Sequence, residues 1–154
     1  MTNINSLNYR EQIITLWMVF LFGTIFHTQL ALMPLFHDID VAIMGHHHQE
    51  AATMVEIAPI LWGMLLFFVL PMLAIVATAF CEFKRFRVFH FGLTLVYTVL
   101  NFAHAIADLL VDPIAWYQIV LMVLLFLVGI LLNIVAYQWM QIGSRRGKTI
   151  ALVK

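Results

Sequence analysis

One apolar segment in the second half of the chain carries polar side chains along a single face. They recur at spacings of three or four residues, which is the repeat of one face of an α-helix: His90, Thr94, Tyr97, Asn101, His104 and Asp108. Ionisable and amide groups are costly in an apolar environment unless they face the protein interior and find partners. We call these six residues the polar seam. Its composition predicts either a line of inter-helix hydrogen bonds or a binding site.

Two histidines on different segments are predicted to lie at the same depth. His27 is seven residues before Pro34, and His104 is seven residues before Val111. At about 1.5 Å per helical residue, both lie roughly 10 Å from the ends of their segments. Two imidazoles at one depth on facing helices can serve as the axial ligands of a haem. The sequence therefore predicts a haem b site ligated by His27 and His104, with three further candidate cofactor-binding residues in the polar seam, namely His90, Tyr97 and Asn101.

The spacing of the two seam histidines has a parallel in a known group of proteins. His90 and His104 are 14 residues apart, which corresponds to about 21 Å along a helix. This spacing is similar to that of the histidine pairs with which membrane b-type cytochromes stack two haems across a bilayer. The sequence departs from that pattern because it offers no second histidine to pair with His90. A simpler interpretation of His90 is a residue at the membrane surface beside Arg87.

The same side chains also suggest a metal ion. His104 and Asp108 are four residues apart on one helical face, and imidazole together with carboxylate suits Zn, Cu(II), Mn or Fe(II). The other candidate ligands belong to the same side of the predicted bundle or to its connecting loop, residues 37–56: His27, Glu56, His37, His46, His47 and His48.

Composition identifies the elements that must position these residues. Of 154 residues, 64% are hydrophobic and 10% are charged, whereas soluble domains contain about 45–50% and about 25%. A transmembrane helix needs about 20 apolar residues, and four such runs are present, at residues 13–36, 57–81, 86–111 and 114–142. These features argue against a water-soluble enzyme, a disordered chain and a nucleic-acid binder. They predict a single all-α membrane domain, residues 1–154, folded as a four-helix up-and-down bundle.

The charge distribution predicts the orientation of this bundle. All eight basic residues lie at the N-terminus, in the second connection or at the C-terminus, and six of the eight acidic residues lie on the opposite side. Because basic residues favour the cytoplasmic side, both termini are predicted to be cytoplasmic. The four tryptophans lie near the ends of the spans, where an aromatic belt at the membrane surfaces would place them: Trp17, Trp62, Trp116 and Trp139.

Three classes of function are compatible with this pattern. The first is a small membrane subunit that binds a redox cofactor, with haem near the outer face, and transfers electrons within a larger membrane complex. The second is a membrane protein that binds or transports a metal ion, and the third is an accessory or assembly subunit without a cofactor. A non-catalytic role is favoured over an enzyme. The expected partners are the lipid bilayer and other membrane subunits, without nucleic acid, in a prokaryotic inner or thylakoid membrane.

Overall fold

A computed structural model of the chain consists of helices over most of the residues that it describes. These residues are 4–34, 54–81 and 83–151, and their side chains are described for 8–34, 55, 57–81 and 83–142. The four helices are α1 (Ile4–Leu32), α2 (Met54–Phe80), α3 (Lys84–Leu109) and α4 (Trp116–Ala151). Each contains a stretch that is long and apolar enough to cross a membrane. The predictions of an all-helical fold and of four membrane-spanning candidates are confirmed.

Two of the helices end before the predicted boundaries, and a proline follows the end of each. The first run was expected to continue to residue 36, but α1 ends at Leu32, two residues before Pro34. The third was expected to reach residue 111, but α3 ends at Leu109 and is followed by Pro113. Proline cannot donate a backbone hydrogen bond, and it disfavours helical geometry in the residue before it. Hydropathy alone therefore places the C-terminal ends of both helices too late in the sequence.

The core forms where α4 packs along both α1 and α3. Its buried apolar side chains come mainly from α1 and α4, with Tyr97 from α3: Ile13, Trp17, Phe20, Met122, Leu125, Val128, Leu132 and Trp139. Helix α2 packs along α1 and contributes little to this core. Most of the side chains of α2 are consequently exposed on the surface that a membrane would cover.

Glycines allow α4 to approach its two neighbours closely. A methyl group on Gly23 of α1 would overlap the buried side chain of Leu125, whose Cγ would be 3.2 Å away. A methyl group on Gly129 of α4 would lie 2.8 Å from Thr98 Oγ1. The same hydroxyl accepts a hydrogen bond of 2.9 Å from Asn133 Nδ2. Small residues and interhelical hydrogen bonds are the usual means of helix association in membranes.

Helix α2 is tied to the other helices through backbone carbonyls. Arg10 donates hydrogen bonds to the carbonyls of Thr78 and Ala79 in the last turn of α2. Farther along, the Tyr97 hydroxyl donates to the carbonyl of Phe67 at 2.7 Å. That carbonyl lacks its usual helical donor, because the residue four positions later is Pro71. Tyr97 therefore satisfies a carbonyl that an apolar environment would otherwise leave without a partner.

Candidate functional site

Three predicted site residues from two helices come together at one end of the molecule. His27 Nε2 of α1 lies 3.3 Å from His104 Nε2 of α3. Asp108, one turn beyond His104, places Oδ2 3.4 Å from His27 Nε2 and Oδ1 3.8 Å from His104 Nε2. We call these three side chains the His27–His104–Asp108 cluster. The sequence predicted that His27 and His104 lie at the same depth on facing helices, and the structure brings them into contact.

Exposure increases across this cluster. The side chains of His27, Asp108 and His104 are 8%, 17% and 57% exposed, respectively. The more buried members of the polar seam are His90, Thr94, Tyr97 and Asn101. The seam therefore lies in the interior over most of its length and reaches the surface of the helix bundle at His104.

Two of the three distances within the cluster match those between ligands of one small metal ion, and the third, 3.8 Å from Asp108 Oδ1 to His104 Nε2, is longer. If two atoms each bind a metal at about 2.0–2.1 Å with tetrahedral angles, they lie about 3.3 Å apart. Two ligands on opposite sides of an ion would be about 4 Å apart. The observed distances of 3.3 and 3.4 Å agree with the tetrahedral value. Two imidazoles and one carboxylate would then leave a fourth position for water or another ligand.

Asn101 and Tyr97, the polar seam residues that precede His104, differ in their hydrogen-bond partners. Asn101 lies one turn before His104, and its Nδ2 makes a long contact of 3.8 Å with Met122 Sδ. Its Oδ1 is buried and has no hydrogen-bond partner among the described residues. Tyr97 directs its hydroxyl to Phe67 on α2 and not to either histidine. Of these two predicted cofactor-binding residues, Tyr97 has its donor engaged by Phe67, whereas Asn101 has a buried acceptor without a partner among the described residues.

His90 belongs to a separate cluster at the other end of α3. It is fully buried, and its Nε2 accepts a hydrogen bond of 2.9 Å from Trp17 Nε1. Its ring also packs against that of Trp139 with the ring planes at 89°. The Arg87 guanidinium lies over the Trp139 ring, 5.0 Å from the ring centroid. The interpretation of His90 as a membrane-surface residue is wrong, because the packing of α1 and α4 encloses it. The aromatic-belt prediction is wrong for Trp17 and Trp139, which are both fully buried.

Several predicted metal ligands cannot be placed relative to the cluster. Four of the predicted histidines lie outside the described residues: His37, His46, His47 and His48. The side chain of Glu56 also lies outside them, although its backbone belongs to α2. These five residues remain predictions. The cluster is therefore defined by His27, His104 and Asp108.

Sequence reasoning missed two residues that position the polar seam. Trp17 holds His90 through its indole N–H, and Pro71 leaves the Phe67 carbonyl available to Tyr97. A signal for the second was present, since a proline within an apolar helix always frees the carbonyl four residues earlier. No comparable signal distinguishes a tryptophan that binds a buried histidine from one at a membrane surface.

Comparison of the chain with protein-family models, with curated proteins and with solved structures gives no match. Function therefore has to be argued from the geometry and chemistry of the site itself.

Proposed function

We propose that this protein is an integral membrane protein that binds a transition-metal ion in the His27–His104–Asp108 cluster. The observation that carries the proposal is the mutual approach of three ligand groups from α1 and α3, within 3.3 to 3.8 Å. His27 and Asp108 are largely buried, and burying ionisable groups in an apolar environment is costly. A bound cation would offset that cost by neutralising Asp108 and engaging both imidazoles.

The proposed membrane arrangement is an up-and-down bundle with both termini in the cytoplasm. Contacts between Trp17 and His90 and between His27 and His104 support a common direction for α1 and α3. The basic residues of the termini and the second connection favour the cytoplasmic side. In this arrangement the cluster lies near the outer surface. Most acidic residues of the chain belong to the same side, where they would concentrate cations from the surroundings.

The distance between the two histidines supports a small ion better than a haem. Axial ligands on opposite faces of a haem iron need about 4 Å between their nitrogens, and the Nε2 atoms lie 3.3 Å apart. Their ring centroids are 5.3 Å apart, with the ring planes at 80°. Asp108 also lies against both imidazoles, where it can serve as a third ligand. A tetrahedral ion uses all three groups, whereas an axial haem pair leaves the carboxylate without a role.

Zinc is the ion that this geometry favours. Zn²⁺ prefers four tetrahedral ligands, and sites with two histidines, one carboxylate and one open position are typical of zinc that exchanges ligands. An octahedral ion with bonds of the same length would bring neighbouring ligands to about 2.9 Å, closer than the observed distances. The open position supports a role in capturing or transferring a metal ion, with additional ligands available from residues 37–56.

Metal binding by the purified protein in lipid nanodiscs tests this proposal. We expect about one zinc per chain by elemental analysis after dialysis. Cobalt(II), used as a substitute, should give the intense visible absorption of a tetrahedral site. Replacing His46, His47 and His48 together by alanine removes weak binding by the loop, so variants of the cluster are best compared in that background.

The variants Asp108→Ala and His27→Ala should each lose the bound metal and the cobalt spectrum. Asp112→Ala is the matched control, since it removes an exposed carboxylate four residues later on the same side. A cobalt spectrum unchanged by Asp108→Ala would contradict the proposal. A purified protein that contains porphyrin ligated by His27 and His104 would favour the haem prediction instead.

A further inference from the structure

A cavity of about 350 Å³ lies between the start of α1 and the end of α4 and is open to the surface. Its lining consists of polar residues from the two helices: Asn8, Tyr9, Gln12 and Gln138. We call this cavity the amide pocket. It shares no residue with the His27–His104–Asp108 cluster, which lies toward the other end of α1. The two sites are therefore independent of each other.

In a membrane, the amide pocket would lie at the level of the lipid headgroups. The apolar stretch of α1 begins at Asn8 and that of α4 ends at Ile142. Gln12 and Gln138 are each four residues inside these stretches, which at 1.5 Å per residue is about 6 Å from their ends. The headgroups and the interfacial layer occupy about 5–8 Å on each side of the hydrocarbon. The pocket is therefore within reach of a headgroup.

The amide side chains of the pocket have unused hydrogen-bonding groups. Asn8, Gln12 and Gln138 are all exposed. Among the residues whose side chains are described, none of the three has a hydrogen-bond partner. Each amide offers two N–H donors and one carbonyl acceptor. The pocket can therefore donate to a ligand and accept from it at the same time.

The lining of the amide pocket favours an uncharged ligand rich in hydroxyl groups. No charged residue lines the pocket among the described residues, and the adjacent Arg10 donates to the carbonyls of Thr78 and Ala79. Phosphate is typically bound by arginine or lysine, whereas a hydroxyl both donates and accepts, as an amide does. A cavity of about 150 Å³ can hold benzene, so roughly twice that volume is enough for one sugar ring.

An apolar surface continues from the amide pocket toward the middle of the two helices. On α1, Val19 lies two helical turns from Gln12. On α4, Ile134 and Leu131 lie one and two turns from Gln138. These three apolar side chains are 45%, 48% and 51% exposed, respectively. A polar pocket that continues into an exposed apolar surface suits a lipid better than a soluble sugar.

We infer that the amide pocket binds a neutral glycolipid, with one sugar ring among the amides and its acyl chains along Val19, Leu131 and Ile134. The amides of Gln12 and Gln138 hydrogen-bond to the sugar hydroxyls from opposite helices. Tyr9, which packs partly against the hydrophobic core, supplies an aromatic ring and a hydroxyl group, a combination suited to the membrane surface.

Native mass spectrometry of the protein released from lipid nanodiscs tests the inference. The nanodiscs consist of dioleoylphosphatidylcholine with equal amounts of three lipids that have the same acyl chains: monogalactosyl dioleoylglycerol, dioleoylphosphatidylglycerol and dioleoylglycerol. The galactolipid should be retained at one molecule per chain and roughly tenfold in excess over each of the other two, as two hydrogen bonds would provide.

The double variant Gln12→Leu/Gln138→Leu should abolish the preference for the galactolipid. Both residues are exposed, so the fold should tolerate the change. Gln29→Leu is the matched control, because Gln29 is an exposed glutamine near the other end of the same apolar stretch and does not line the pocket. This control should retain the galactolipid as the parent does.

Three results would overturn the inference. Equal retention of the three lipids would indicate an apolar surface that accepts any acyl chain. Preferential retention of phosphatidylglycerol would indicate recognition of phosphate. A galactolipid preference that persists in Gln12→Leu/Gln138→Leu would place the lipid elsewhere on the protein. None of these results bears on metal binding, because the cluster contributes no residue to the amide pocket.

Discussion

Removing the Tyr97 hydroxyl tests how the bundle compensates for a proline within a membrane-spanning candidate helix. The hydroxyl donates to the Phe67 carbonyl at 2.7 Å, and Pro71 cannot supply the normal helical donor for that carbonyl. Tyr97→Phe leaves the ring in place and removes only the donor. Tyr97 is 3% exposed, so water cannot readily replace it.

The expected cost is about 1–2 kcal/mol in the free energy of unfolding. Interhelical hydrogen bonds in membrane proteins average about 0.6 kcal/mol and reach about 1.7 kcal/mol, whereas an unsatisfied buried acceptor costs about 1–3 kcal/mol. We expect a cost near the maximum measured for interhelical hydrogen bonds, because the Phe67 carbonyl has no donor within its own helix. In a Pro71→Ala background residue 71 regains its N–H, so Tyr97→Phe should then cost less than about 0.5 kcal/mol.

A reversible denaturation titration with sodium dodecyl sulfate, followed by helical circular dichroism, measures these differences. Four proteins complete the cycle: the parent, each single variant and the double variant. Tyr137→Phe is the control, since Tyr137 is 46% exposed and should tolerate the change with little effect. An equal cost of Tyr97→Phe in the proline and alanine backgrounds would refute the proposed compensation.

Three further predictions concern packing and orientation. Gly23→Ala should destabilise the protein by about 1–3 kcal/mol relative to Gly92→Ala in the same titration, because only the first methyl group meets a buried side chain; equal stabilities would contradict the close approach of α1 and α4. Trp17→Phe should cost about 1–3 kcal/mol by leaving His90 without its donor, and an unchanged denaturation midpoint would argue against that bond. A reporter fused after Lys154 should be active only in its cytoplasmic form, and external activity would contradict the proposed orientation.

The sequence predicted the cluster because helix geometry alone relates its members. Spacing placed His104 and Asp108 on one face, and depth arithmetic matched His104 to His27 on another segment. Neither argument required knowledge of which helices pack together. The structure adds the distances within the cluster and the unequal exposure of the two histidines.

The surroundings of His90 could not be predicted in the same way. The helices that enclose it are apolar on nearly all sides, so hydropathy does not indicate which face meets a neighbour. Trp17 and Trp139 lie near the ends of predicted spans, a position equally suited to a membrane surface or to a packed interior. The interior position follows from α4 packing along both α1 and α3, which is a property of the tertiary structure.

The unequal exposure of the two histidines has a kinetic consequence for the proposed ion. His104 is 57% exposed, so fewer neighbouring atoms restrain its side chain than that of His27, which lies in the interior with 8% exposure. Ligand exchange would then begin at His104, with His27 and Asp108 retaining the ion while an incoming ligand takes the released position. Release would proceed through a mixed complex, so its rate should rise with the concentration of the acceptor. The site would be kinetically labile even where its equilibrium affinity is high.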